Sequence, residues 1–300
     1  MRTKFVLSAI IIAVYNLGAF GLFFGRGHDF WVLLGCFAGT VAISALLFKW
    51  IIKPVELMQK QLEQVRDENL RSEKIRSEFV ANVSHELKTP LTSILGFIET
   101  LQDGAAEDPE IRTKFLDIVA IETSRLKRLI EDLLVLSDIE NKRDVNVPGI
   151  INIRKSVSEI ISSIAPIAEA RNIKILLDID ESLVIMGSED RFKQMMLNLI
   201  ENAIKYSKEN GAVTIFTEVF PEEQKIILTV KDEGIGISSE HIERLFERFY
   251  RVDKSRSTKV GGTGLGLSIV KHIANLFEAE LKVESDINKG SSFKVIFKVK

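Results

Sequence analysis

The chain has 300 residues, with 40 Lys and Arg against 42 Asp and Glu and a formal net charge of −2. This balance gives no sign of a nucleic-acid-binding surface, so no such partner is expected. The length and a hydrophobic content of 46% fit two domains, or one domain with membrane anchors. The single cysteine, Cys36, excludes an intrachain disulfide.

Phe5–Phe24 carries no charge over 20 residues and Phe30–Phe48 none over 19. Each run is long enough to cross about 30 Å of hydrocarbon as a helix. Only GRGHD, residues 25–29, separates them, which predicts a two-helix transmembrane hairpin over 1–52 with spans of about 5–24 and 30–48. Arg2 and Lys4 before the first span, and Lys49 and Lys53 after the second, place both termini in the cytoplasm of a multi-pass protein of the cell membrane. The second span, so soon after the first, argues against a cleaved signal peptide. His28, in the external loop, reads as a polar cap, the alternative being a pH or metal sensor.

Residues 53–76 read as a helical, coiled-coil-like linker. Val55, Met58, Leu62 and Val65 recur at spacings of 3, 4 and 3 before the seam lapses at Asn69, Ser72 and Arg76. Apolar residues then resume at Val80, Val83, Leu87, Ile94, Ile98 and Leu101, and His85 lies roughly 165° from the centre of that stripe. His85 therefore faces water, with Thr89 on the same face and Glu86 on the flank. Pro90 removes a backbone donor and crowds the carbonyl of Glu86, at about 3 kcal/mol or more in a helix interior. Such a defect one turn past an exposed His-Glu pair points to a site.

After the turn DGAAEDP (103–109), Ile111, Phe115, Ile118, Leu126, Leu129, Leu133 and Leu136 continue at helical spacing. Two helices with one stripe each shield it poorly, so residues 77–140 are expected to form an all-α dimeric four-helix bundle. The alternative is that the stripe docks on the chain's own C-terminal region. Residues 141–149 (NKRDVNVPG) read as a hinge.

From 150 to 300 the pattern mixes strand and helix. Strands are expected at 173–180, 212–220, 225–232, 279–286 and 291–299, with helices at about 154–171, 188–207, 238–247 and 265–277, forming one α/β domain. Within the second helix Asn198 and Asn202 are four apart, and two amide oxygens on one face suit Mg2+. Lys205 can meet a phosphate. DEGIGI (232–237) ends a strand; Gly234 and Gly236 permit close approach to a flat ligand, and Asp232 can accept from an exocyclic amine. VGGTGLGLSIV (260–270) enters a helix as an anion site would, yet is neither a P-loop nor GxGxxG. Before it runs a basic stretch, 246–259, with Arg248, Arg251, Lys254, Arg256 and Lys259.

Together these motifs resemble those of the bacterial two-component sensor histidine kinases, with a dimerisation and histidine phosphotransfer hairpin followed by a Bergerat-fold (GHKL-type) α/β sandwich. FVANVSHELKTPL is similar to the family's H box, LNLIENAIKYS to its N box, DEGIGI to its first glycine box, LFERFYRVD to its F box and GGTGLGLSIV to its second. The resemblance spans about 75–300. It implies that His85 is the phosphoacceptor, with Glu86 orienting its imidazole and accepting a proton, and that Thr89 serves phosphatase activity. It implies ATP and Mg2+ as cofactors, with Asn198 and Asn202 as metal ligands, Lys205, Tyr206 and Arg251 at the nucleotide, and Asp232 reading adenine. Gly234, Gly236, Gly262, Thr263, Gly264, Leu265, Gly266 and Leu267 would shape the pocket and lid. The implied partners are a response-regulator aspartate and a second copy of the chain; the short external loop adds a bilayer or membrane-protein stimulus. The rival readings are a GHKL-type ATPase without kinase activity and an inactive membrane scaffold. His241 and His272 read as structural.

Overall fold

The structure, a computed structural model, describes residues 14, 18, 34–35, 37–42, 53–140, 149–252 and 262–298. Both candidate spans for the most part, together with His28, residues 141–148 of the expected hinge, and Lys254, Arg256 and Lys259, lie outside the described residues. Among the described residues no helix is long and apolar enough to cross a membrane.

The chain divides after Glu78 into two units. In the first, the described residues from Lys53 onward are the opening turns of helix α1, Lys53–Gln102. Leu57, Met58, Leu62, Val65, Leu70 and Ile75 are all more than half exposed along it.

In the second unit α1 runs on past Pro90, which is buried within it. A left-handed Gly104 and a short 3-10 turn, Ala105–Glu107, lead into α2, Pro109–Glu140. Asp108 Oδ1 accepts from the Glu110 and Ile111 amides, satisfying donors that a helix start otherwise leaves unpaired. The two helices meet through the rings of Phe97 and Phe115, 4.9 Å apart, and through a Glu86–Arg125 ion pair.

The remainder is a two-layer α/β sandwich. Strand β1 (Gly149–Asn152) pairs antiparallel with β3 (Val184–Gly187). The main sheet runs β2 (Lys174–Asp178), β4 (Ala212–Phe220), β5 (Lys225–Asp232), β7 (Gly290–Lys298), β6 (Glu280–Asp286), with only β2 and β4 parallel. Helices α3 (Ile153–Glu169), α4 (Glu189–Tyr206) and α6 (Gly266–Leu276) supply the second layer. Period-two burial puts Val213, Ile215, Leu228, Val230, Val295 and Phe297 into the core between the layers. Phe192, Met195, Met196, Leu199, Ile200, Ala203 and Ile204 of α4 recur at 3.6-residue spacing and are buried there too. Fully burying each larger side chain contributes about 1.5–3 kcal/mol.

The helix expected at 238–247 is confined to α5, Ser239–Ile242, and strands β1 and β3 were not anticipated. The expected stripe on α2 is shared. Leu129, Leu136 and Ile139 are buried in one core with the sandwich, as the alternative reading had it. Leu91 and Leu95 of α1, and Ile130 and Leu134 of α2, remain about half exposed.

Candidate functional site

Lys205, Tyr206, Asp232, Gly234 and Gly262 meet at the C-terminal end of α4. Arg171 fixes this end: its guanidinium donates to the carbonyls of Ile204, Lys205 and Ser207, acceptors that a helix C-terminus leaves free. The loop after β5 is pinned beside it, with the Ile235 amide donating to the Tyr206 carbonyl at 3.3 Å and Ser207 bridging Gly234. Asp232 is buried at the strand end, and its Oδ1 accepts from the Gly234 amide at 2.8 Å. Burial pushes its carboxyl above the usual carboxylate range, while bonds from the Gly234 and Ser291 amides pull back.

Gly234 and Gly290 let the backbone close on this acid, and a Cβ on Gly234 would fall 2.6 Å from Asp232 Oδ1. Gly236 has φ +68°, and a Cβ there would strike the Asp286 carbonyl. Gly290, at φ +96°, is packed against the carbonyl of Asp232 with no room for a side chain.

On the other flank of α4, Asn198 donates from Nδ2 to the Gly266 carbonyl at 3.3 Å, and its Oδ1 lies 3.4 Å from Gln194. Asn202, one turn on, is half-buried. Gly262 sits over the Lys205 amine, so closely that a Cβ would meet Nζ at 2.6 Å. Burial beside Arg251 and Arg128, opposed by Glu201, lowers the Lys205 ammonium to about 8. Gly264 adopts φ +73° against Phe249, whose amide donates to the Gly264 carbonyl at 2.9 Å. Leu265 is buried, Leu267 half-buried and Tyr206 partly exposed at the rim.

The H-box residues divide. His85 and Thr89 are exposed, and the Thr89 hydroxyl donates to the His85 carbonyl at 3.1 Å. Glu86 turns away from this face to Arg125 of α2, at 3.2 Å. Arg251 joins them electrostatically. Burial lowers its guanidinium, the Glu86 charge opposes this, and Arg125 adds repulsion. Its Nη2 is buried without a hydrogen-bond partner among the described residues. Thr263 is engaged elsewhere: its hydroxyl donates to Asp132 Oδ2 of α2 at 2.6 Å and accepts from the Leu265 amide. The neighbouring histidines are tied down, His241 Nδ1 2.7 Å from the Tyr250 hydroxyl and His272 Nε2 3.2 Å from Arg248.

Residues that sequence reasoning passed over are therefore Arg125, Arg128, Asp132, Arg171 and Gly290. The first three stand three and four apart on α2, a polar stripe beside the apolar one. That spacing is visible in the sequence.

A buried acid with side-chain-free backbone beside it, a lysine, and an arginine whose Nη2 lacks a hydrogen-bond partner among the described residues are groups that suit an amine-bearing ring and phosphate charge. Paired amide oxygens between them fit a hard cation that keeps phosphate and water in its shell. Among the described residues no group of three or more His, Cys, Asp or Glu could hold a metal.

Residues 75–142 match the family model of the His Kinase A (phospho-acceptor) domain, and residues 187–300 that of the histidine kinase-, DNA gyrase B- and HSP90-like ATPases. The chain is 41% identical over 216 residues to the sensor histidine kinase WalK of Bacillus subtilis (strain 168), covering 72% of this chain and 35% of that protein. It is 38% identical over 216 residues to a sensor protein kinase WalK of Staphylococcus aureus, covering 72% and 52%. The chain thus spans about half or less of the length of these relatives. Among solved structures, histidine kinase ThkA in complex with response regulator protein TrrA matches with TM-score 0.61 and 26% identity, over 82% of this chain and 67% of that one. The Acinetobacter baumannii histidine kinase AdeS matches with TM-score 0.58 and 27% identity, over 72% and 98%.

Proposed function

The chain belongs to the two-component sensor histidine kinases, and from that premise we propose that it phosphorylates its own His85 from ATP and passes the phosphoryl group to an aspartate of a response regulator. The observation that carries this reading is Arg251. Its charge acts on Lys205 and Tyr206, its Nη2 is buried with no hydrogen-bond partner among the described residues, and it feels the charge of Glu86, the residue next to His85. One guanidinium thus links the pocket to the acceptor helix.

In this reading Asp232 accepts from the adenine amine, and the backbone at Gly234 and Gly236 lies against the ring. Lys205 and Arg251 hold the terminal phosphates by charge, and Asn198 and Asn202 would hold Mg2+ through their amide oxygens. The metal, when bound, neutralises phosphate charge. The imidazole of His85 attacks the γ-phosphorus through a ring nitrogen, the bond to the ADP oxygen breaks, and the ring gives up its proton. Glu86 is the proton acceptor once it leaves Arg125. Positioning and charge supply most of the acceleration.

The half-exposed Leu91, Leu95, Ile130 and Leu134 support a homodimer, in which a second helix pair completes a four-helix bundle. The partner in the ThkA–TrrA complex supports a response regulator, and Thr89, exposed one turn from His85, would serve dephosphorylation of it. The two uncharged runs at 5–24 and 30–48 support a transmembrane hairpin with both termini in the cytoplasm, responding to the bilayer or to a membrane protein.

The test is incubation with γ-labelled ATP and Mg2+, comparing wild type with His85→Gln. Acid-labile, base-stable label on the wild type alone supports the kinase. Turnover without labelling points to a GHKL-type ATPase, and absence of nucleotide binding to a scaffold.

A further inference from the structure

Arg125, Arg128 and Asp132 form one stripe of α2, and each acts on a group of the candidate site. Arg125 holds Glu86 at 3.2 Å, the Arg128 charge acts on Asp132, Glu201 and Lys205, and Asp132 accepts from Thr263 at 2.6 Å. Leu129, Leu136 and Ile139 are buried beside the stripe. At 100° per residue the half-exposed Leu116, Ile130 and Leu134 fall on the other side of α2. A second copy can therefore cover those three side chains while the sandwich stays docked on the stripe.

His85 is exposed, Glu86 is engaged by Arg125, and the second glycine box is tied through Thr263 to a carboxylate. A carboxylate bonded to the glycine box has the same sign as a polyphosphate approaching that loop, and its charge already acts on Glu201 of α4.

We propose that the Asp132–Thr263 contact is an autoinhibitory latch that holds the ATP-binding domain on α2 and is released by nucleotide. Nucleotide can drive release only if it binds the unlatched form more tightly. Removing the charge of Asp132 must then raise nucleotide affinity, by reciprocity.

The inference rests on the kinase reading, and the experiment separates the two. In the full-length homodimer, affinity for a fluorescent, non-hydrolysed ATP analogue with Mg2+ is measured for wild type, Asp132→Ala, Asp132→Asn and Asp132→Glu. Autophosphorylation at subsaturating ATP is followed in parallel. A charge-assisted hydrogen bond of ordinary strength predicts binding about tenfold tighter, and a matching rise in rate, for the Ala and Asn variants. Asp132→Glu stays near wild type. Unchanged or weaker binding by both Ala and Asn variants overturns the latch. Failure of the wild type to bind or become labelled overturns instead the kinase reading.

Discussion

The carboxylate of Glu86 lies 3.2 Å from the guanidinium of Arg125, with the two side chains 26% and 15% exposed. The residue after the exposed His85 therefore directs its charge across the helix pair. Removing one partner leaves a half-buried ion unpaired, which costs more than an exposed pair would. Arg125→Ala is expected to lower the unfolding free energy of the helix pair by about 1–3 kcal/mol. Arg125→Lys should recover part of the loss. Denaturant unfolding followed by circular dichroism checks this, and an unchanged midpoint for Arg125→Ala contradicts it.

Lys205 gives a pH prediction. Its ammonium is lowered from 10.5 to about 8 by burial first and then by Arg251 and Arg128. Below pH 8 the folded protein carries a buried charge at a cost. Between about 8 and 10.5 it sheds a proton that the unfolded chain keeps, so this lysine's contribution to stability rises with pH across that window. Phosphate needs the charged form. Affinity for Mg-ATP should therefore fall as pH rises through about 8, by at most about tenfold per pH unit. Titration calorimetry in buffers of different ionisation enthalpy should show proton uptake on binding above pH 8, and Lys205→Met should abolish it.

Gly290 tolerates no side chain. Its φ of +96° is unfavourable for other residues, and a Cβ would fall on the Asp232 carbonyl. Gly290→Ala is expected to displace the strand end that carries Asp232, costing about 2–4 kcal/mol of stability together with nucleotide binding. A variant that melts and binds like wild type contradicts this.

Most of the sandwich was legible because its strands alternate and its helices carry strong amphipathic spacing; β4 and β5 span the residues the pattern marks. Strands β1 and β3 were not legible. Each has four residues, too few to show a period, and β1 runs directly into α3. The helix expected at 238–247 stops early because LFERFYR folds back on the second glycine box, with Phe249 at φ +61° bonded to Gly264, a tertiary contact no local pattern reports. Likewise, the outward aim of His85 follows from helical geometry, whereas the engagement of Glu86 by Arg125 depends on how two helices pack.

The apolar surface left on the helix pair makes a prediction about assembly. Leu91, Leu95, Ile130 and Leu134 are each 46–60% exposed. A dimer that buries them is disrupted by a charge at its centre, because an unpaired buried charge costs several kcal/mol. Ile130→Glu with Leu134→Glu should shift sedimentation of the purified protein from dimer to monomer. A dimer of unchanged mass places the interface elsewhere.

The most direct measurement is of residue 85 itself. After brief incubation of the protein with Mg-ATP at neutral pH, peptide mass spectrometry under non-acidic conditions is expected to find one phosphoryl group on the peptide carrying His85, lost on mild acid treatment. Phosphate only at other residues, or none on a protein that binds nucleotide, would contradict the account.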